Sequence, residues 1–196
     1  MGFFNLTQEV AIDLGTANTV IINNGKIVVN APSIVALDHN DKLVAVGHKA
    51  QQMEGRTPDG IRTDRPLRDG VIADFNAAEL MIRGLIKMAF ANKHSLFAPQ
   101  LRMVVGIPSG STSVEIRAVR DSSEHAGGRD VYIIYEPMAA AIGIGIDVLA
   151  PEGNMVVDIG GGSSEIAVIS LGGLVTNNSI RVAGNDLTHD IMDYMR

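Results

Sequence analysis

The stretch Asp158-Ile159-Gly160-Gly161-Gly162-Ser163-Ser164 repeats the frame of Asp13-Leu14-Gly15-Thr16-Ala17-Asn18-Thr19. In both, an aspartate ends an apolar strand, a glycine follows two residues on, and a hydroxyl residue stands six after the aspartate. The copies lie 145 positions apart, the difference of their numbers. Each is followed by an apolar strand, a glycine-bearing turn (Gly25; Gly172-Gly173) and another strand. Two copies at long range are an internal duplication of a hairpin and not a solenoid period. Two related halves facing one another are implied.

A loop of Gly, Thr, Ala and Ser lets successive backbone N–H groups converge on one point, which makes an anion site suited to phosphate. The aspartate ending the preceding strand can hold Mg2+, or one of its waters, while the loop holds phosphate oxygens. A single glycine-rich turn is often only a tight hairpin. Two copies with the aspartate and hydroxyl in register carry far more weight.

Between the copies the chain alternates strand and helix, an α/β pattern. Asn23-Asn24-Gly25-Lys26 reads as a hairpin turn, and residues 32–46 hold two short β-like segments. Residues 47–69 are polar and read as an excursion from the core. Asn76 to Lys93 has cap chemistry and a helical apolar stripe, Arg102 to Ile107 is a strand stopped by Pro108, and a helix runs to His125 before Gly127-Gly128. A strand over Val131 to Tyr135 leads to Glu136-Pro137 and a helix of small residues. Glu136 is there either as a helix-dipole carboxylate or as a polar group aimed into a cleft. Its place between the two hairpins favours the cleft.

Composition narrows the function. With 16 Lys+Arg against 22 Asp+Glu the net charge is −6, and no basic stripe marks a nucleic-acid partner. There is no cysteine, which excludes disulfides and thiolate nucleophiles. No run of about 18 apolar residues exists to span a bilayer, and the first residues lack a basic secretory n-region. The five histidines form no metal-binding spacing, Ser109 lacks the G-x-S-x-G frame, and neither a Walker A nor a dinucleotide-binding glycine motif occurs.

The paired hairpins resemble the phosphate motifs of the superfamily of actin, sugar kinases and heat-shock chaperones. Together with Arg65-Pro66-Leu67-Arg68-Asp69-Gly70-Val71-Ile72-Ala73-Asp74-Phe75 and Glu136-Pro137-Met138-Ala139-Ala140-Ala141-Ile142-Gly143, they resemble the MreB family of bacterial actins. The resemblance implies an α/β, actin-like (ribonuclease H-like) fold: a mixed sheet flanked by helices, a small α+β insertion and the start of a second related domain. It divides the chain into 1–31 with 71–150 as the first domain core, 32–70 as an inserted subdomain, and 151–196 as the beginning of the second. The chain is expected to lack the second small subdomain, the adenosine motif and the closing helix of the family, with nucleotide binding weakened and apolar surface from Met155 to Val182 exposed.

By position, the resemblance implies that Gly15, Thr16, Ala17 and Asn18 bind phosphate from one side and Gly160, Gly161, Gly162 and Ser163 from the other. Asp13 and Asp158 would hold Mg2+ through its waters, and Glu136 and Ser163 would position the water attacking the γ-phosphate of ATP. The family more often has Thr where Ser163 stands; serine keeps the hydroxyl and loses the methyl that fixes its rotamer. Phe3, Phe4 and Leu6, with Leu96 and Phe97, resemble the family's membrane-inserting N-terminus and loop. The pair Leu96 and Phe97 reads equally as core cover. The expected cofactors are ATP and Mg2+. The expected partners are further copies of the chain in a filament, the inner face of the cytoplasmic membrane and cell-wall elongation proteins, with no nucleic acid. The place is the cytoplasm, peripheral to the membrane, and the role is setting rod shape. Two alternatives stand beside this: another ATPase of the superfamily, chaperone or sugar kinase, and a non-hydrolysing fragment acting as an interaction module.

Overall fold

The computed structural model describes residues 7–91 and 100–196. Strand β1 (Thr7–Leu14) alternates strictly, with Val10, Ile12 and Leu14 buried and Glu9, Ala11 and Asp13 on the opposite face. It returns antiparallel as β2 (Asn18–Asn23) and β3 (Lys26–Pro32). Asn24 and Gly25, at φ 52° and 70°, make the two-residue turn whose twist matches the flanking strands.

The chain then forms β4 (Val35–Asp38), β5 (Leu43–Val46), α1 (His48–Met53) and β6 (Ile61–Asp64). These make a small sheet of order β5-β4-β6 with its own core of Ile34, Ala36 and Ala50. The reading of residues 47–69 as an excursion is thereby corrected. Ala50 is fully buried, β6 pairs with β4 over four residues, and Leu67 belongs to the main core. Polar composition hid a strand whose stability comes from its partner and not from its own sequence.

Strands β7 (Leu67–Arg68) and β8 (Val71–Ile72) frame a tight turn at Asp69-Gly70 and lead into α2 (Phe75–Ala89). The α2 cap is Asp74, whose carboxylate accepts the Ala77 N–H at 3.0 Å, so the helix starts one residue before the expected Asn76 and ends four before Lys93. Its buried stripe of Ala77, Ala78, Met81, Ile82 and Leu85 covers the sheet. Truncating Leu85 there would cost about 2–5 kcal/mol.

Strand β9 (Gln100–Ile107) pairs in parallel with β1, and α3 (Ser113–His125) follows a full capping box at Thr112 and Glu115. Strand β10 (Gly128–Tyr135) starts earlier than expected, at Gly128 instead of Val131, and pairs in parallel with β9. The main sheet therefore has the mixed order β10-β9-β1-β2-β3, covered on one face by α2 and α3. Its other face carries Asp13 and the partly exposed Ile22, Val104 and Tyr132.

Helix α4 (Glu136–Gly143) crosses to a second sheet of β11 (Asn154–Ile159), β12 (Ser164–Ser170) and β13 (Gly173–Ile180), an antiparallel meander. Ala141, Val156 and Ile169 form the core between them. Met155, Val157, Ile159 and Val175, on this sheet, remain more than half exposed. Helix α5 (Gly184–Tyr194) follows. Among the described residues, no helix is long and apolar enough to cross a membrane.

Candidate functional site

The two duplicated hairpins meet tip to tip. Gly15 lets the first loop fold back on itself: a Cβ there would lie 2.7 Å from the Asn18 carbonyl. A Cβ on Gly161 would lie 2.7 Å from the Ala17 Cβ, and one on Gly162 would lie 2.6 Å from Thr16 Oγ1. Only glycine allows this approach.

Each loop is held from behind by a different device. In the first, Ser33 donates its hydroxyl to the Gly15 carbonyl at 2.6 Å and its N–H to the Ala17 carbonyl at 2.9 Å. In the second, the opening amides of α5 do the work, Gly184 and Asn185 donating to the Gly160 and Gly161 carbonyls at 3.1 and 2.9 Å. The amides of Thr16, Ala17, Gly161 and Gly162 donate to no acceptor among the described residues. Pinned carbonyls behind and free N–H groups in front are the arrangement that receives an anion.

A cleft of about 590 Å³ opens between the loops. Every phosphate-loop, aspartate and catalytic candidate named from the sequence lines it: Asp13, Gly15 to Asn18, Glu136, Asp158 and Gly160 to Ser163. Apolar side chains of the uncovered sheet face and of α4 complete the wall, among them Val20, Ile22, Val104 and Ile142. Phe3, Phe4, Leu6, Leu96 and Phe97, the membrane candidates, lie outside the described residues.

Electrostatically the cleft is an unneutralised cluster of carboxylates. Glu136, at the first turn of α4, is pushed up to about 8, first by burial and then by the charges of Asp13, Glu165 and Asp158. Asp13 is also raised, by burial and then by Asp158. A divalent cation between the two aspartates would relieve this repulsion, so the donor set suits Mg2+. No three His, Asp or Glu side chains among the described residues converge as a metal-chelating group.

Three contributors escaped the sequence reading. Gly70, at φ 80°, donates its N–H to Thr16 Oγ1 at 2.8 Å, and a Cβ there would lie 3.0 Å from Ser163 Oγ. Its signal was the Asp69-Gly70 turn, but nothing local tied that turn to a hairpin 54 residues earlier. Glu165 is 1% exposed and faces Asp158 across the β11–β12 ladder. Ser109, in the loop leaving β9, donates its N–H to Glu165 Oε2 at 2.6 Å. Only the tertiary pairing brings these together.

Residues 7–196 match the family described as MreB/Mbl protein. The chain is 48% identical over 196 residues to the cell shape-determining protein MreB of Escherichia coli K12, covering 97% of the chain and 56% of that protein. It is 48% identical over 191 residues to the cell shape-determining protein Mbl of Bacillus subtilis 168, covering 96% and 56%. Among solved structures it resembles MreB5 of Spiroplasma citri bound to AMPPNP, with a TM-score of 0.83 and 37% identity, covering 97% of this chain and 57% of that one. The same protein bound to ADP gives a TM-score of 0.84. The chain thus spans a little over half the length of the curated relatives it matches.

Proposed function

Because this chain belongs to the MreB/Mbl protein family, we propose that it is the nucleotide-binding part of a bacterial actin-like, cell shape-determining protein. The fold is that of the MreB5 structures. Residues 1–31 and 71–150 are read as the first domain core, 32–70 as its inserted subdomain, and 151–196 as the opening of the second domain.

The reading rests on one observation: two duplicated hairpins, each with its aspartate, close on a single cleft with Glu136 between them. MreB5 of Spiroplasma citri was solved with AMPPNP and with ADP, and a nucleotide is accordingly proposed as the ligand of this cleft. The free amides of Thr16, Ala17, Gly161 and Gly162 would grip phosphate oxygens, with Gly15, Asn18, Gly160 and Ser163 shaping the loops. Asp13 and Asp158 would hold Mg2+ through water. Bound there, the cation supplies neutralisation of the phosphate charge.

The chain's own residues then divide the remaining work. The pinned loops hold the phosphate chain in line, and the apolar walls limit water to the reacting end. Burial first, and then its uncompensated carboxylate neighbours, push Glu136 up to about 8 and favour its protonated form. Neutralising Asp13 and Asp158 returns it toward the ionised form, in which its oxygens can accept a hydrogen bond from an attacking water. Ser163, 8% exposed and beside Gly70, offers a hydroxyl to the same water. Hydrolysis of ATP, coupled to assembly of copies into a filament, is the proposed activity. The proposed place is the cytoplasmic face of the inner membrane, with cell-wall elongation proteins as partners and rod shape as the outcome.

A second reading, a non-hydrolysing interaction module, draws on the exposed Met155, Val157, Ile159 and Val175. Such an apolar face is docking surface whether or not nucleotide turns over.

Titration calorimetry with Mg2+ and ATP decides between them. Binding by the chain and its loss in Asp158→Ala are expected. Equal binding by both would remove the second hairpin from the site, and no binding by either would leave the interaction module.

A further inference from the structure

One buried ionisable side chain enters the mechanism above only through its charge on Glu136. Glu165 faces inward on β12 in a row that continues with Ala167 and Ile169, both buried. An apolar residue would extend that row without the cost of desolvating a carboxylate. Only one of its oxygens is engaged, Oε2 accepting the Ser109 N–H at 2.6 Å. The other, Oε1, is buried with no hydrogen-bond partner among the described residues, and so is Ser109 Oγ. A carboxylate kept for local packing would have both oxygens satisfied.

What Glu165 joins is informative. On one side is the hairpin that carries Ser163, two residues earlier in the chain. On the other is the loop from Pro108 to Thr112, which leaves β9. A Cβ on Gly106 of β9 would lie 3.5 Å from Glu136 Cγ, so that strand underlies Glu136. The loop touches the hairpin again nearby. Asn177 Nδ2 donates to the Ser109 carbonyl at 3.5 Å, and a Cβ on Gly110 would lie 2.9 Å from the Ser179 Cβ. Arg181, just after β13, pairs with Glu115 of α3 at 3.3 Å. Of these ties, the Glu165 contact is the shortest and lies beside Ser163.

Resting on the hydrolysis reading, we propose that Glu165 is a positioning residue, locking the Ser163 hairpin to the β9–α3 loop through the Ser109 amide, so that Ser163 and Glu136 keep a fixed spacing across the cleft. The lock is geometric. A glutamine, which keeps the acceptor, preserves it, and an alanine releases it. A reacting pair displaced by about 1 Å loses on the order of 10²-fold in rate while ground-state binding is spared.

The test compares the chain with Glu165→Gln and Glu165→Ala, reading ATP turnover, Mg2+·ADP affinity and the amide resonances of Ser109 and Gly160 to Gly162. Turnover is expected to fall about 10²-fold in Glu165→Ala and to be largely retained in Glu165→Gln, with ADP affinity within about twofold in both. Full turnover in Glu165→Ala, or an affinity loss equal to the rate loss, would overturn the proposal. Should the chain not turn over ATP, the amides decide. Mg2+·ADP is expected to move the Ser109 and glycine resonances in the chain, and the glycine resonances alone in Glu165→Ala. Glycine amides that move while Ser109 stays still in the chain would sink the lock and leave the site standing. Glycine amides that do not move would sink the nucleotide reading and the lock with it.

Discussion

In the first hairpin the residue opposite the strand-end aspartate is Val20; in the second it is Glu165. The register is otherwise the same, Asp13 to Val20 and Asp158 to Glu165, followed by Leu14 to Thr19 and Ile159 to Ser164. Both turns put two consecutive residues at positive φ, Asn24-Gly25 and Leu171-Gly172. A repeated backbone thus carries unequal chemistry. The first hairpin brings one carboxylate and an apolar wall to the cleft; the second brings one carboxylate to the cleft and, opposite it, a second that is buried and tied to a loop of the first half. Their rear supports differ as well, a single serine for the first and the start of a helix for the second.

The most severe test of this division falls on Glu136, which feels charge from both hairpins. Glu136→Gln should cut turnover by about 10²-fold or more with Mg2+·ADP affinity changed by less than about twofold. A matching loss of affinity would make Glu136 a binding group instead. Its pH dependence is equally specific. The carboxyl is raised from an ordinary value of 4.5 to about 8, so between those values the folded chain keeps a proton that the unfolded chain has lost. Stability therefore falls as pH rises through that window, and Glu136→Gln should flatten the decline. Thermal melts of both proteins at pH 5 and pH 8.5 check this; parallel declines would mean that burial and the neighbouring carboxylates do not raise Glu136 in the folded chain.

Glycine substitutions sharpen the contrast between a loop tip and a turn. Gly162→Ala places a methyl 2.6 Å from Thr16 Oγ1 and 3.0 Å from the Asp69 backbone, which cannot yield easily. Nucleotide affinity should drop by more than about tenfold, roughly 1.4 kcal/mol. Gly25→Ala meets open space but sits at φ 70°, so it should cost about 1 kcal/mol of stability and leave affinity unchanged. Chemical unfolding and ADP titration separate the two effects. Equal affinity losses would show that the hairpin tips are not in contact in solution.

The gentlest probe compares the turns themselves. Asn24 suits φ 52°, whereas Leu171 holds φ 51° with a γ-branched side chain that is 72% exposed. Leu171→Asn should stabilise by about 0.5–1 kcal/mol, and Asn24→Leu should destabilise by a similar amount. Urea midpoints of the pair measure it. A Leu171→Asn chain no more stable than the original would mean that the side chain is held by contacts that outweigh the strained backbone.

These differences also explain what was legible in the sequence. The Asp-x-Gly frames and the Asn24-Gly25 turn announce themselves because their physics is local. The third strand of the small sheet was missed because Ile61 to Asp64 offers too few apolar residues to alternate, and it becomes a strand only when β4 supplies its hydrogen bonds. Glu165 was missed for a related reason. Both faces of β12 are rich in apolar residues, Ala167 and Ile169 on one and Ile166 and Val168 on the other, so alternation does not say which face a glutamate shares. Only pairing with Asp158 assigns it to the buried face beside the cleft.

The central position of β1 has a consequence for how the chain is made. Its antiparallel partner β2 follows within a few residues, but its parallel partner β9 is not complete until residue 107. At ribosomal rates of about 5–20 residues per second, roughly 4–17 seconds separate synthesis of the first turn from synthesis of β9. During that interval one side of β1, a strand with three core residues, has no mate. The nascent chain therefore passes through a period when its own future centre is an open edge, and the pace of translation becomes part of what decides between folding and misassociation.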